Sequence, residues 1–321
     1  PRTSDPAVPA VGTDGTPAAT ASAAETKEPR PTAVVGLSVL APVPALELTA
    51  SGFKDSAAAC DTVAIEVVER NARGDIPELT AIAEGFVQTK VDLIATVSTP
   101  AAQAARQVVS AAGSTTPVVF SSVTDPVAAG LIEGPAVHEP WITGSQSLPP
   151  IAQVVDAAQE IVPGLEVLGV VHNPNEANSK AVVTALGTIA ADRGLTLDVA
   201  SAADAGEVGD AAQGLVDRGI DAIVSGMATL AQVADANDLL VIGTDANIAR
   251  SGAAIGLGAD YYGSGFRAGG IACRVLGGEA TPADFDVINI GSVGLTVNET
   301  AVAAQGVTIP QHLLDLAEII D

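Results

Sequence analysis

The chain has 321 residues, which is room for two domains of ordinary size. Its 38 acidic against 14 basic residues give a formal net charge of −24, which excludes nucleic acid and anionic membrane surfaces as electrostatic partners. Apolar residues make up 48% but aromatics only 2%, so the core has to be assembled from small aliphatic side chains.

Residues 1–31 are mostly Pro, Ala, Thr and Ser with almost no large apolar side chain, too little to offset the entropy of ordering. They read as a disordered linker or tail, and a first residue of Pro points to a processed or trimmed start. No apolar run reaches the length of a membrane span. Cys60 and Cys273 stand far apart with no C-x-x-C, and read as two buried free thiols that pair only if the chain is exported.

Periodicity begins at Thr32, where a strand runs to Leu40 and breaks at Pro42-Val43-Pro44. A helix over 45–59, a strand over 63–68 and a helix over 76–89 follow, the last with Leu79, Ile82, Ala83 and Phe86 on one face. The β-branched run Val91 to Val97 is too short for a globular helix and reads as a buried strand. Behind it Pro100 suits a first helical turn, with Thr99 as the expected N-cap, and Ala101, Ala104, Ala105, Val108, Val109 and Ala112 form one apolar stripe. Pro117 to Phe120 starts the next strand, which runs out into Ser121-Ser122-Val123-Thr124-Asp125-Pro126.

After an irregular stretch at 130–150, which holds the chain's one Trp, the alternation restarts. A helix over 151–162, one after Ser179 that buries Val182, Ala185, Leu186, Ile189 and Ala190 and stops at Gly194, and one over 205–218 alternate with strands over 167–171, 195–199, 221–224 and 239–243. A strand near 253–257, a helix over 262–276, a strand near 285–290 and a last helix after Pro310 complete the chain. The fold class expected is α/β, two doubly wound parallel-sheet lobes joined by a multi-crossing hinge. The first lobe takes 32–145 plus about 253–282 and the second 146–252 plus about 283–321.

Function follows from where the polar turns fall. Ligands of open α/β sheets bind at the carboxyl ends of the strands. The helix start at Thr99–Ala101 favours a carboxylate or phosphate, and Asp125 beside it suits an ammonium, so a zwitterion fits between them. His138, His172 and His312 are scattered without metal-ligand spacing, and Gly256-Leu257-Gly258 lacks the third glycine of a dinucleotide loop, so no metal or cofactor is expected. No nucleophile–base pair or G-x-S-x-G elbow marks an enzyme.

Five motifs then stand in order and spacing: STPAAQA (98–104), PVVFSSVTDPVAAGL (117–131), ITG…LPP (142–150), HNPNEANS (172–179) and GAD-YY-G-SG (258–265). On these the chain resembles the ABC-transporter substrate-binding proteins of the periplasmic-binding-protein type I fold, in the subfamily that includes tryptophan- and other amino-acid-binding lipoproteins. The resemblance covers roughly residues 33–320. It implies a monomeric extracytoplasmic receptor that closes on a small amino-acid-like solute and presents it to a membrane ABC permease, lipid-anchored in its precursor. Carried over by motif, the ligand-facing residues are Ser98, Thr99, Thr124, Asp125, Asn178, Ser179, Asp245 and Tyr261, with Asn178 or Ser179 also capping its helix. The chain departs from the pattern at Pro42-Val43-Pro44 and at Ser225-Gly226-Met227-Ala228, where a polar pair is lost and the next helix is shortened, so the pocket is expected to be more apolar at Met227. The alternative role for the same lobes is a ligand-sensing domain of a regulatory system, or an enzyme using the same cleft.

Overall fold

The computed structural model describes residues 30–226, 230–290 and 294–321. The expected tail, apart from Arg30 and Pro31, and the position at Met227 with Ala228 lie outside the described residues.

The first lobe is built from β1 (Thr32–Val39), α1 (Pro44–Ala58), β2 (Ala64–Asn71), α2 (Ile76–Thr89), β3 (Leu93–Val97), α3 (Thr99–Ala111), β4 (Val118–Val123) and β5 (Ile142–Gln146). The chain then crosses to a second lobe of α4 (Ile151–Ile161), β6 (Val167–His172), α5 (Ala177–Asp192), β7 (Thr196–Ser201), α6 (Val208–Asp217), β8 (Ala222–Ser225), α7 (Ala231–Asp235), β9 (Leu240–Gly243), α8 (Ala246–Arg250) and β10 (Ile255–Gly258). It returns to the first lobe for α9 (Tyr261–Leu276) and β11 (Ile288–Asn289). It ends in the second with β12 (Gly294–Asn298), α10 (Glu299–Ala304), α11 (Gln311–Leu314) and β13 (Glu318–Ile320).

The two sheets run β11-β5-β4-β3-β1-β2 and β13-β12-β10-β9-β8-β6-β7. Every pair is parallel except β10 with β12. Parallel strands covered on both faces read as near-continuous apolar runs, and β3, β4, β8 and β9 are buried along their whole length. In the first lobe, α2 and α3 cover one face, with Phe86 and Ala105 in that core. On the other face α1 and α9 supply Phe53 and Ile271.

Two strands fall in the opposite lobe to the one expected. The strand at Ile255–Gly258 pairs with β9 in the second sheet, and Ile288–Asn289 pairs with β5 in the first. The crossings therefore lie between Gln146 and Ile151, between Gly258 and Tyr261, and between Ile290 and Gly294. Strand β12, helix α10 and strand β13 also escape the periodicity, because each is too short to show a repeat.

Cys60 and Cys273 form a disulfide, with Cα atoms 5.6 Å apart, where free thiols were expected. The cause is the seating of α9 on α1. The helices run parallel with backbones in contact, because Gly52 and Gly265 leave no room for a Cβ against the Tyr262 and Thr49 carbonyl oxygens. That contact carries their ends together across 213 residues of sequence. Replacing both cysteines (Cys60→Ser with Cys273→Ser) is expected to lower unfolding free energy by about 3 kcal/mol in guanidinium denaturation, since the closed loop is long. A thiol titration of the unfolded, unreduced protein should find no free sulfhydryl.

Candidate functional site

The first-lobe rim is made by the ends of β3, β4 and β5. Ser98, rather than the expected Thr99, is the N-cap of α3. The Ala101 N–H donates to the Ser98 Oγ at 3.4 Å, and the Ser98 N–H donates to the Ser121 carbonyl at 3.1 Å. Its backbone sits at φ 109°, ψ 159°, a region that essentially only glycine occupies without strain. Thr99 is buried, and its Oγ1 accepts the Thr124 N–H at 3.4 Å, so two of the expected residues touch. One turn further, Ser122 is also at positive φ, 53°, at the bulge where β4 loses register with β5. Each strained serine comes directly before or two residues before a residue expected to face the solute. Such strain persists only where surrounding structure holds it, and it collects at functional sites.

Asp125 spends one oxygen locally, its Oδ1 accepting the Val127 and Ala128 N–H groups at 3.0 and 2.9 Å. The loop is fastened by a residue that sequence reasoning missed. Gln146, the last residue of β5, donates from Nε2 to the Thr124 carbonyl at 3.0 Å. A polar side chain closing the strand I-T-G-S-Q was the available clue. The α3 helix has no acidic residue in its first turn, so none of its own side chains places a negative charge at the positive end of its dipole.

On the second lobe, the loop after β6 leads to α5, whose N-cap is Glu176 rather than Asn178 or Ser179. Those two lie inside the first turn and serve the loop instead. The Ser179 Oγ accepts the Asn173 N–H at 2.9 Å, and Asn178 Nδ2 donates to Glu176 Oε2 at 3.1 Å. The Asn178 Oδ1 is buried without a hydrogen-bond partner among the described residues. Asp245 closes β9 and caps α8, its Oδ1 accepting the Asn247 N–H at 2.7 Å. Only 7% of Asp245 is exposed. The close seating of this turn on β10 requires Gly258, where a Cβ would collide with the Asp245 backbone. The Gly256-Leu257-Gly258 run thus serves to lodge a carboxylate.

The two rims face one another. Helices α3 and α5 are in contact across the lobes, and Ala177, next to Asn178, packs on the first-lobe core. Tyr261, partly buried at the start of α9, has its hydroxyl pKa raised by burial first and by the Asp245 carboxylate second, which places the two within electrostatic range. Hollows of about 490 Å³ beside α2 and about 650 Å³ around Trp141 lie in the first lobe, and none of the eight expected residues lines them. Among the described residues, no three His, Cys, Asp or Glu side chains gather as a metal site, and no helix is long and apolar enough to cross a membrane.

Burial raises the Asp245 pKa, and its backbone hydrogen bond to Asn247 only partly offsets this. An acid whose pKa is higher when folded contributes stability that is complete below its unfolded pKa and is lost as pH rises through the folded value. As pH rises past that value, the burial of Asp245 becomes a cost to the ligand-free protein. Asp245→Asn keeps the capping acceptor, and is expected to raise the ligand-free melting midpoint at pH 7. The gain should vanish as pH falls to about 4 in a thermal-denaturation series. Ser98 offers a second test. Ser98→Gly relieves the backbone and should gain about 1 kcal/mol in urea denaturation, whereas Ser98→Ala keeps the strain, loses the cap and should cost about 1 kcal/mol.

The family model described as "ABC transporter substrate binding protein" matches residues 34–320. The tyrosine-binding protein of Clostridioides difficile (strain R20291) is 30% identical over 281 residues, 84% of this chain and 80% of that protein. A Streptococcus pneumonia ABC domain solved in complex with L-Trp superposes with TM-score 0.82 at 23% identity, covering 90% of this chain and all of that one (100%). The ligand-free, open structure of a substrate binding protein with adhesive properties from Clostridium difficile superposes with TM-score 0.68 at 27% identity, covering 90% and 99%.

Proposed function

Because the chain belongs to the ABC transporter substrate binding protein family, we propose that its two rims close on an amino-acid-like zwitterion and that the loaded receptor delivers it to a membrane permease. The observation that carries the solute class is a buried carboxylate and an unpaired amide oxygen on the second rim, with a helix start free of acidic residues in its first turn on the first. Asp245 is buried with no ion-pair partner among the described residues, and Asn178 Oδ1 is buried unpaired. Both call for donors, as an ammonium provides. The N-terminus of α3, capped by Ser98 and flanked by Thr99 and Thr124, calls for a carboxylate. Asp245 suits the amine better than Asp125 because it is the more deeply buried of the two, each having its Oδ1 engaged in its own turn.

The relatives bear on the same class, since one is a tyrosine-binding protein and another holds L-Trp. Tyr261 is the aromatic side chain at the rim, and residues 147–258 and 294–321 contain no Phe, Trp or Tyr. The solute's side chain is then met by aliphatic and polar groups of the second lobe. The family's extracytoplasmic setting suits the disulfide, which persists in oxidising compartments. In this reading the receptor acts as a monomer, and a lipid anchor at the far end of the tail holds it at the membrane.

A thermal-shift screen over the twenty amino acids tests the class. A solute present at a hundred times its Kd adds about 2.7 kcal/mol and raises the midpoint by several degrees. Titration calorimetry with the solute found should show Asp245→Asn weakening affinity ten- to hundredfold, roughly the worth of a charged hydrogen bond. No amino acid moving the midpoint, or an Asn variant binding as well as the parent, would remove the assignment.

A further inference from the structure

A cluster of buried hydroxyls, none of them among the residues expected to touch solute, meets at Ser264, the fourth residue of α9. Its Oγ accepts the Ser122 N–H at 3.2 Å and the Ser147 hydroxyl at 3.1 Å, and lies 2.8 Å from Ser145 Oγ. The Ser145 hydroxyl in turn reaches the Ser264 carbonyl at 3.3 Å. Ser122 Oγ continues the chain to Thr49 Oγ1 on α1 at 2.7 Å, and Thr49 donates to the Ala45 carbonyl at 3.0 Å. All five side chains are buried. A hydroxyl donates once and accepts twice, so every bond here can be made together: Ser264 receives from Ser122 and Ser147 and gives its proton to Ser145.

The places these residues occupy give the cluster its meaning. Ser147 stands on the first crossing between the lobes, and Ser264 comes just after the second. Ser122 is the strained residue two positions before Thr124. The third crossing is fastened to the first, the Leu148 N–H donating to Asn289 Oδ1 at 3.1 Å and the Ile290 N–H to the Gln146 carbonyl at 2.9 Å. Each crossing is thus pinned to the first-lobe rim at the point where it leaves that lobe.

We propose that Ser264 is the positioning residue of this receptor. It holds Ser122 in its left-handed conformation, and with it the Thr124–Asp125 turn. It also fixes where bending starts, so that lobe rotation is absorbed at residues 149–150 and 259–260 on the far side of the pins. The effect on solute rests on the proposed reading of the rims, whereas the pinning itself does not.

Ser264→Ala in the full chain tests it, alongside Thr143→Val. The latter removes another fully buried hydroxyl, one that donates to the Phe285 carbonyl at 3.0 Å elsewhere in β5. Amide hydrogen exchange of the ligand-free proteins, read by mass spectrometry, should show Ser264→Ala exchanging about tenfold faster over residues 120–128 and 145–150, with the second-lobe helices unchanged. Thr143→Val should leave both segments at the parent rate. Ser147→Ala, which cuts one arm alone, should loosen 145–150 and spare 120–128. Unchanged protection in both segments of Ser264→Ala, or a rise spread evenly over both lobes, overturns the proposal. With L-tyrosine as the probe, Ser264→Ala should dissociate about tenfold faster. Failure of the parent to bind any amino acid would sink the solute class while the exchange result still decides the pinning.

Discussion

Helix α9 starts beside the hinge and ends near a disulfide, and between these points its backbone lies against that of α1. Gly52 on one helix and Gly265 on the other make this approach possible, since a methyl group at either position would strike a carbonyl oxygen. Dispersion and burial along such a contact act at short range and over its whole length. The consequences reach beyond the two helices. The first lobe acquires its second covering helix, with Ala268, Ile271 and Ala272 completing the core over β1 and β3. Because α9 returns from the second lobe, the connection between the lobes has to be multiple rather than a single linker.

A multiple connection restricts how the lobes move, and the rims show what that restriction serves. The first-lobe rim is preset: a serine in a glycine-like conformation caps α3, a second strained serine turns the chain toward Asp125, and Gln146 ties the turn to the neighbouring strand. The second rim carries its chemistry as debt. A carboxylate with a raised pKa and an amide oxygen with no partner among the described residues are costs in the ligand-free protein. In the proposed reading a bound ammonium offsets them, and closure on solute then gains energy from groups that destabilise the empty protein.

Much of this was legible in the chain. The run from Val91 to Pro126 folds as strand, helix and strand, because a short β-branched segment, a Pro at the helix start and a stripe of small apolar residues all favour the same arrangement. What eluded the reading depended on tertiary contact. Ser98 rather than Thr99 caps α3 because the turn takes a positive φ, which no side-chain preference of serine announces. Helix α5 begins ahead of Asn178, with Glu176 in the N-cap position and no side-chain cap bond, and the asparagine amide donates to that glutamate. The assignment of β10 and β11 to their sheets hangs on pairings between distant segments, and pattern carries no information about those. Gln146 was hidden in the irregular stretch at 130–150, and Ser264 in a helix whose period marks a buried face but not the hydroxyls that meet on it, so only the partners reveal either role.

The interleaving of the two lobes along the chain also bears on how it acquires its shape. The core over β1 and β3 lacks one wall until residues near Ile271 exist, and the second lobe's core lacks Val297 and Ile309 until later still. Neither lobe is thus able to consolidate before most of the chain has been synthesised, and apolar sheet faces stay uncovered until then. Maturation of the two halves is one late, shared event rather than two successive ones.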